Sequence, residues 1–174
     1  KIDDKNNDFS NYLNTINKQI QDIEHLVNEF SDFARMPKPV LKKIELSNVI
    51  SRSISLHELS EPGIKFIFSK NKIITNINGD EEQLNRVFIN LIKNSIESIH
   101  EKKSKNADFK GKIDVDIKED SDYIFVAIID NGLGFDQVDK TKMLEPYFTT
   151  KKKGTGLGLA IVSKIISDHN GSIL

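Results

Sequence analysis

The sequence predicts an α+β fold, a two-layer α/β sandwich that follows a long N-terminal bundle-forming helix. Three observations support this prediction. A heptad repeat of apolar residues runs from Phe9 to Ala34. Helical and strand-like patterns then follow one another in mixed order up to the last residue, and one of those helices is apolar enough to be packed on a sheet. Strands and helices in this order favour helices gathered on one face of a sheet.

The composition limits the classes of function. The chain has 174 residues, of which 37% are hydrophobic and 29% are charged, as in a soluble protein of one domain with an extension. The 25 basic and 26 acidic residues give a net charge of -1, which excludes a general affinity for nucleic acid. The lack of cysteine excludes disulfides and thiolate catalysis. No apolar run reaches the roughly 18 residues of a membrane helix. We expect a fragment of a longer protein, because the chain stops within a strand-like pattern.

The N-terminal helix is predicted from apolar residues at alternating spacings of four and three. The stripe consists of Phe9, Leu13, Ile16, Ile20, Ile23, Val27, Phe30 and Ala34. Tyr12, Leu26 and Phe33 widen it beyond what a two-stranded coil buries, so we expect a helix of an oligomeric bundle. Packing of this helix on its own domain is the alternative. Two prolines in the MPKP segment end the helix, which divides the chain into residues 1–39 and 40–174.

Local signals predict the remaining elements. In order, they are a short helix capped by Ser47, strands at 64–68 and 73–77, an apolar helix at about 81–100 capped by Asp80, a polar loop at 101–112, a strand at 113–117, a more fully buried strand at 123–129, and a helix at about 157–169.

Two asparagines on the apolar helix form the first candidate site. Asn90 and Asn94 are one turn apart and share a face. Because asparagine is unfavourable inside a helix, a pair on a mostly buried helix suggests a use. The amide oxygen of Asn94 is a hard, neutral ligand of the kind that Mg²⁺ accepts beside phosphates and water. Solvated or capping asparagines are the alternative.

The second candidate site is an Asp-Asn-Gly-Leu-Gly segment that follows the strand at 123–129. Asp130 can accept a hydrogen bond from an exocyclic amine, and Gly132 and Gly134 let the backbone approach a flat ring. This combination suits adenine, although Asp-Asn-Gly is also an ordinary hairpin turn.

The third candidate site is a lysine- and glycine-rich segment, KKKGTGLGL. Its glycines, Gly154, Gly156 and Gly158, lead into a helix N-terminus, where free N–H groups and the helix dipole favour an anion. The spacing matches neither a dinucleotide fingerprint nor a Walker loop. A flexible loop beside a helix is the alternative.

The three segments in this order, with EPYFTTK between the last two, resemble the ATP-binding domain of sensor histidine kinases, which has the Bergerat (GHKL) fold. Residues 90–94 are similar to the N box, 130–134 to the G1 box, 146–148 to the F box and 154–158 to the G2 box. The segment NEFSDFARMPKP, residues 28–39, is similar to the end of the second helix of the dimerisation hairpin and resembles the NtrY-like, nitrogen-regulation branch.

The resemblance implies roles for single residues. Asp130 would fix adenine, Asn94 would hold Mg²⁺ and Asn90 would support it. The other residues implied to contact ATP are Gly132, Gly134, Phe148, Lys151, Gly154, Thr155, Gly156, Leu157 and Gly158. Residues 137–153 would form a mobile lid over the nucleotide.

One position departs from relatives of this kind, and another separates this chain from the ATPases of the same superfamily. Many histidine kinases carry a basic residue where this chain has Glu97, so Lys93 or Lys151 is expected to compensate. The true ATPases of the superfamily place a glutamate one turn before the magnesium asparagine, as a general base. Asn90 cannot accept that proton, which favours phosphoryl transfer to a protein over efficient hydrolysis.

The segment LHELSEP imitates a phosphoacceptor box, but His57 is expected to be a mimic. By the resemblance, the acceptor histidine belongs to the first helix of the dimerisation hairpin, upstream of this chain. Ser60 and Glu61 also replace the residues usual in such a box.

The sequence therefore predicts the ATP-binding fragment of a two-component sensor histidine kinase, which phosphorylates an upstream histidine and, through it, a response-regulator receiver domain. ATP and Mg²⁺ are the expected ligands, with a homodimer formed through the N-terminal helix and no nucleic acid. The fragment is expected in the cytoplasm, with anchoring in the inner membrane only through regions outside it. The alternatives are an anti-sigma-type serine kinase and a non-catalytic, nucleotide-binding adaptor.

Overall fold

A long helix precedes a domain in which three helices cover one face of a sheet. The computed structural model describes residues 2–70, 75–120, 122–134, 142–149, 151 and 154–174. The elements are α1 (Ile2–Ala34), β1 (Lys42–Glu45), α2 (Leu46–Ser60), β2 (Ile64–Lys70), β3 (Asn76–Gly79), α3 (Glu81–Lys105), β4 (Gly111–Asp120), β5 (Tyr123–Asp130), a 3₁₀ turn (Lys142–Leu144) and α4 (Gly158–Asp168). The predicted α+β, two-layer architecture is confirmed.

The main sheet has the strand order β2-β4-β5, and β1 and β3 form a separate antiparallel pair. β4 runs parallel to β2 and antiparallel to β5, so that Ile113 pairs with Phe66 on one side and with Asp130 on the other. Alternate residues of β4 face the helices, and Ile113, Val115 and Ile117 are at most 1% exposed. The sheet thereby places the end of β5 beside the helix layer.

Helix α3 is the element around which the domain is packed, since it contacts α2, α4, β4 and β5. Its Asp80 cap is confirmed, because one carboxylate oxygen accepts the N–H groups of Glu82 and Gln83, each at 3.1 Å. Ile92 and Ile99 of this helix are buried. Each such side chain contributes roughly 1.5–3 kcal/mol through removal of its apolar surface from water.

Two predicted helix boundaries are wrong. Helix α3 continues to Lys105, five residues beyond the predicted end. The lysines of its last turn stabilise this extension, because their positive charges lie near the negative end of the helix dipole. Helix α2 begins directly after Glu45, so Ser47 is not its cap. The Ser47 side chain is buried, and its hydroxyl donates to the Glu45 carboxylate at 2.8 Å.

The strands also differ from prediction. β2 (Ile64–Lys70) and β4 (Gly111–Asp120) extend beyond the predicted 64–68 and 113–117. β5 was expected to be more buried than the other strands, but alternate residues such as Tyr123 and Ile129 are exposed, because α3 packs against the opposite face of this strand. β1 was not predicted, since a four-residue segment with three charged residues shows no strand pattern. The strand predicted at 73–77 overlaps β3 only at Asn76 and Ile77, and residues 73–74 lie outside the described part.

Helix α1 is confirmed, but it does not pack along its own domain. Seven residues of its apolar stripe, from Phe9 to Phe30, are 45–62% exposed. The alternative that α1 packs on its own domain is therefore wrong over most of the helix. At its C-terminal end α1 does meet the domain, since Phe33 and Met36, the latter in the following linker, pack against the core. Among the described helices, none is long and apolar enough to cross a membrane.

Candidate nucleotide-binding site

Helix α3 brings the predicted magnesium ligand next to a lysine far along the chain. The Lys151 ammonium donates to the amide oxygen of Asn94 at 3.2 Å and to the Glu97 carboxylate at 2.5 Å. Asn94 and Glu97 lie three positions apart on the helix, so their side chains share a face. Of the two lysines expected to compensate for Glu97, Lys151 contacts it. Lys93 is exposed, and its charge lowers the pKa of His57 instead.

Asn90, one turn earlier, faces the beginning of α4. A Cβ atom built on Gly158 would lie 3.9 Å from the Asn90 side-chain oxygen. The Asn90 amide nitrogen is buried and has no hydrogen-bond partner within the described structure. A buried donor without a partner is uncommon, so this amide is a candidate for a hydrogen bond to a ligand.

The segment after β5 leaves the sheet and packs against α3 instead of forming a hairpin. The Asp130 carboxylate accepts the N–H of Gly132 at 2.9 Å, and Asp130 is half-buried. The Asn131 side chain is held by the backbone of β4 and its preceding residue, through Lys112 N–H at 2.8 Å and the Lys110 carbonyl at 3.0 Å. These bonds fix the position of the turn that carries Asp130.

Gly132 is required here by close packing. A Cβ at this position would lie 2.3 Å from the Ser98 hydroxyl and 2.7 Å from the Ser98 carbonyl carbon of α3. Gly134 adopts a φ of 73°, a conformation that favours glycine. Lys102 was not predicted to support this segment, but its ammonium donates to the carbonyls of Asn131 at 2.6 Å and Gly132 at 3.0 Å. The helix-forming composition of residues 101–105 was the signal that would have placed Lys102 on α3.

The glycine-rich segment leads directly into α4, as predicted. Gly156 has a φ of 70°, and a Cβ on it would lie 2.5 Å from the Tyr147 carbonyl carbon. Helix α4 begins without a side-chain cap and without an acidic residue in its first turn, so its N-terminus suits an anion. Leu157, a predicted nucleotide contact, is fully buried in the core, and its N–H donates to the Thr155 hydroxyl at 3.3 Å. The Gly154 N–H donates to the Lys151 carbonyl at 3.3 Å.

Two contacts join this segment to α1. The Thr155 hydroxyl donates to the Glu29 carboxylate at 2.5 Å and accepts the Leu157 N–H at 3.3 Å. The rings of Phe30 and Tyr147 stack with centroids 6.5 Å apart. Thr155, a predicted nucleotide contact, is thus also a contact with the N-terminal helix.

The predicted lid, residues 137–153, is only partly described. Residues 137–141, 150 and 152–153, including two of the three consecutive lysines, lie outside the described residues. Phe148 is half-buried, and its N–H donates to the Glu145 carbonyl at 3.3 Å.

His57 lies on α2, and its surroundings do not suit a phosphoacceptor. Its Nε2 atom is buried and has no hydrogen-bond partner among the described residues. Burial lowers the pKa of His57, as does nearby Lys93, whereas Glu61 acts in the opposite direction. A phosphoacceptor nitrogen must be accessible to the γ-phosphate, so this geometry supports the prediction that His57 is a mimic. The Glu61 carboxylate lies 2.9 Å from Nε2 of a different histidine, His100, which is part of α3.

Comparison with known proteins identifies relatives of this arrangement. Residues 79–174 match the family described as Histidine kinase-, DNA gyrase B-, and HSP90-like ATPase. The chain is 38% identical over 165 residues to nitrogen regulation protein NtrY of Azorhizobium caulinodans, which covers 95% of the chain and 21% of the relative. It is 39% identical over 164 residues to a sensor histidine kinase described as NtrY-like in Rickettsia felis, covering 94% of the chain and 26% of the relative. The chain therefore spans about a fifth to a quarter of the length of these relatives, and the predicted NtrY-like resemblance is confirmed.

A solved structure shows the same fold. The histidine kinase ThkA, in complex with the response regulator protein TrrA, superposes with a TM-score of 0.71 at 25% identity, over 92% of this chain and 44% of the ThkA chain.

Proposed function

The chain belongs to the histidine kinase-, DNA gyrase B- and HSP90-like ATPase family, as an ATP-binding catalytic domain homologous to sensor histidine kinases, and we propose that it transfers the γ-phosphoryl group of ATP to a histidine upstream of this chain. The convergence of Lys151, Asn94 and the unpartnered Asn90 amide in front of α4 carries this proposal. Together they offer a positive charge, a hard oxygen and a free donor beside an anion-binding helix end.

The nucleotide would lie between the two loops that α3 supports. Asp130 would accept a hydrogen bond from the adenine amine, from a position fixed by its own turn. The backbone around Gly156 and Gly158 would donate to the phosphates, and Lys151 would add charge. Phosphoryl transfer depends mainly on positioning and charge neutralisation, so these groups are sufficient to account for the chemistry on the nucleotide side.

Magnesium fits this site. The Asn94 oxygen already accepts a hydrogen bond from a cationic group, which shows that it is directed at a place where positive charge is stable. An amide oxygen is a suitable ligand for Mg²⁺, which would neutralise phosphate charge when bound. Asn94 would hold the cation, and Asn90 would support it from one turn away.

The residue at position 90 favours a kinase over a hydrolase. An amide cannot remove a proton from water, so Asn90 cannot act as the general base of an ATPase. The two alternatives, an anti-sigma-type serine kinase and a non-catalytic adaptor, are not favoured because the matched relatives are sensor histidine kinases.

The proposal extends to the arrangement of the longer protein. Residues 1–39 would form the second helix of a dimerisation hairpin, and the exposed stripe of α1 supports a homodimer through that helix. A receiver domain would take the phosphoryl group from the histidine, in keeping with the response-regulator complex of ThkA. The domain would work in the cytoplasm, attached to the membrane through segments outside this chain.

Native mass spectrometry of the chain after incubation with Mg-ATP tests the proposal. We expect bound nucleotide without covalent phosphate, because the acceptor is not among these residues. Addition of a separate hairpin that carries the acceptor histidine should then yield an acid-labile phosphate on the hairpin. Nucleotide binding without transfer to the hairpin would support the adaptor, and a phosphate on the chain itself would contradict the assignment of His57 as a mimic.

A further inference from the structure

The acidic side chain of Glu97 lies in the part of the proposed site where the phosphates of ATP would bind. Glu97 shares its helix face with Asn94, and it is bound by the same ammonium group as Asn94. The side chains of Lys151 and Glu97 are 34% and 41% exposed, so their charges are screened only in part by water. A carboxylate in this place repels any polyanion that enters.

Lys151 compensates the Glu97 charge in the structure, but it cannot do so fully once a polyphosphate is bound. The phosphates attract the same ammonium that now neutralises Glu97. Phosphates and Glu97 would then share one positive charge. A divalent cation at the Asn94 oxygen would restore the balance, because it adds positive charge beside both the carboxylate and the phosphates.

We propose that Glu97 is a specificity-determining residue that makes the site select the metal-bound nucleotide over the metal-free nucleotide. The inference rests on the proposed function of this site. Its physical basis is that a metal-free nucleotide carries more negative charge than its Mg²⁺ complex, so the Glu97 carboxylate repels it more strongly. Lys151 acts in the opposite direction, since it attracts the more highly charged form more strongly.

The experiment compares the affinity for a non-hydrolysable ATP analogue in Mg²⁺ with its affinity in EDTA, by isothermal titration calorimetry of the purified chain. For Glu97→Gln, we expect the ratio of the two dissociation constants, EDTA over Mg²⁺, to fall by about fivefold, as Coulomb repulsion at contact distance in partly screened surroundings predicts. Tighter binding in EDTA should account for most of the change. Glu101→Gln is the matched control, because Glu101 lies one turn further along α3 and pairs with Lys105 at 3.7 Å.

Lys151→Met supplies a second test with the opposite sign, since the ratio should rise. An unchanged ratio in Glu97→Gln, or an equal change in the Glu101→Gln control, would overturn the inference while leaving the proposed function intact. Failure of the unmodified chain to bind either form would overturn both. If Glu97→Gln did not fold, as judged by its thermal unfolding, Glu97→Ser would take its place, and an unchanged ratio in that variant would reject the inference.

Discussion

Asp130 combines two tasks in one carboxylate. It closes the turn after β5 by accepting the Gly132 N–H at 2.9 Å, and it is the expected acceptor for adenine. An asparagine at this position keeps an oxygen for the turn but removes the negative charge. The two tasks are therefore separable by a single substitution.

We expect Asp130→Asn to lower the affinity for ATP by about ten- to hundredfold, which corresponds to the ~1.5–3 kcal/mol of a hydrogen bond to a charged group. The midpoint of thermal unfolding should stay close to that of the parent. Titration calorimetry measures the affinity, with the exposed Asp108→Asn as the control. Retention of full affinity would remove Asp130 from the adenine site.

His57 should make stability depend on pH. Its pKa is lowered below 6.5, mainly by burial, so the folded state binds this proton less readily than the unfolded chain does. The stability that follows from keeping His57 neutral is fully present above pH 6.5, and it is lost as the pH falls below 6.5 through the lowered pKa of the folded state. Urea unfolding at a series of pH values measures this effect, and the free energy of unfolding should fall less with decreasing pH in His57→Asn than in the parent. A parallel pH dependence in both proteins would show that His57 contributes nothing.

At the level of elements, Asp80 joins three parts of the domain. Its carboxylate caps α3 and also accepts the Val40 N–H of the linker at 2.8 Å. Its own N–H donates to Nε2 of His169, at the end of α4, at 2.9 Å. Burial acts to raise the pKa of Asp80, but the backbone N–H groups that it accepts outweigh burial and lower the pKa, as does His169. The linker from α1 thus meets both α3 and α4 at one residue.

Asp80→Ala should decrease the free energy of unfolding by about 1–2 kcal/mol, the usual effect of removing an N-cap. In the parent, the stability that the ionised Asp80 carboxylate provides is present above pH 3.8, and it is lost as the pH falls through the lowered pKa of Asp80. The variant should lack this loss of stability. Chemical denaturation at neutral and acidic pH measures both effects. The exposed Asp122→Ala serves as the control, and equal stability of the two variants would contradict the role of the cap.

The whole molecule is divided between a packed domain and a helix whose apolar stripe is exposed. Seven stripe residues at 45–62% exposure form a surface longer than a monomeric protein usually leaves in water. The C-terminal end of the same helix touches Thr155, a predicted nucleotide contact, and Tyr147. The helix therefore connects a surface for assembly with the site where the nucleotide would bind.

We expect the chain to self-associate through this stripe. Ile16→Glu combined with Ile23→Glu should weaken association by at least about tenfold, because two buried charges oppose the apolar contact. Sedimentation velocity over a concentration series measures the association. The pair Asn14→Glu with Gln21→Glu adds the same charges on the opposite face of α1 and should leave association unchanged. Equal effects of the two pairs would argue against the stripe as the interface.

Local patterns were sufficient for much of this structure. The heptad spacing identified α1, the Asp80 cap and the apolar spacing identified the beginning of α3, and the glycine-rich segment marked the start of α4. Each of these signals depends on residues within a few positions of one another. The short strand β1 has no such signal, because its identity depends on pairing with β3, more than thirty positions later.

By itself, the sequence determined the fold class, the family and the positions of Asn90, Asn94 and Asp130, since each is set by periodicity or by a contiguous motif. Tertiary structure decided which residues meet. Lys151 reaches Glu97 across 54 positions, and Thr155 reaches Glu29 across 126. It also decided that β5 has one exposed face and that the Nε2 atom of His57 is buried. Contacts and burial of this kind depend on how elements pack in space, and no spacing along a chain encodes them directly.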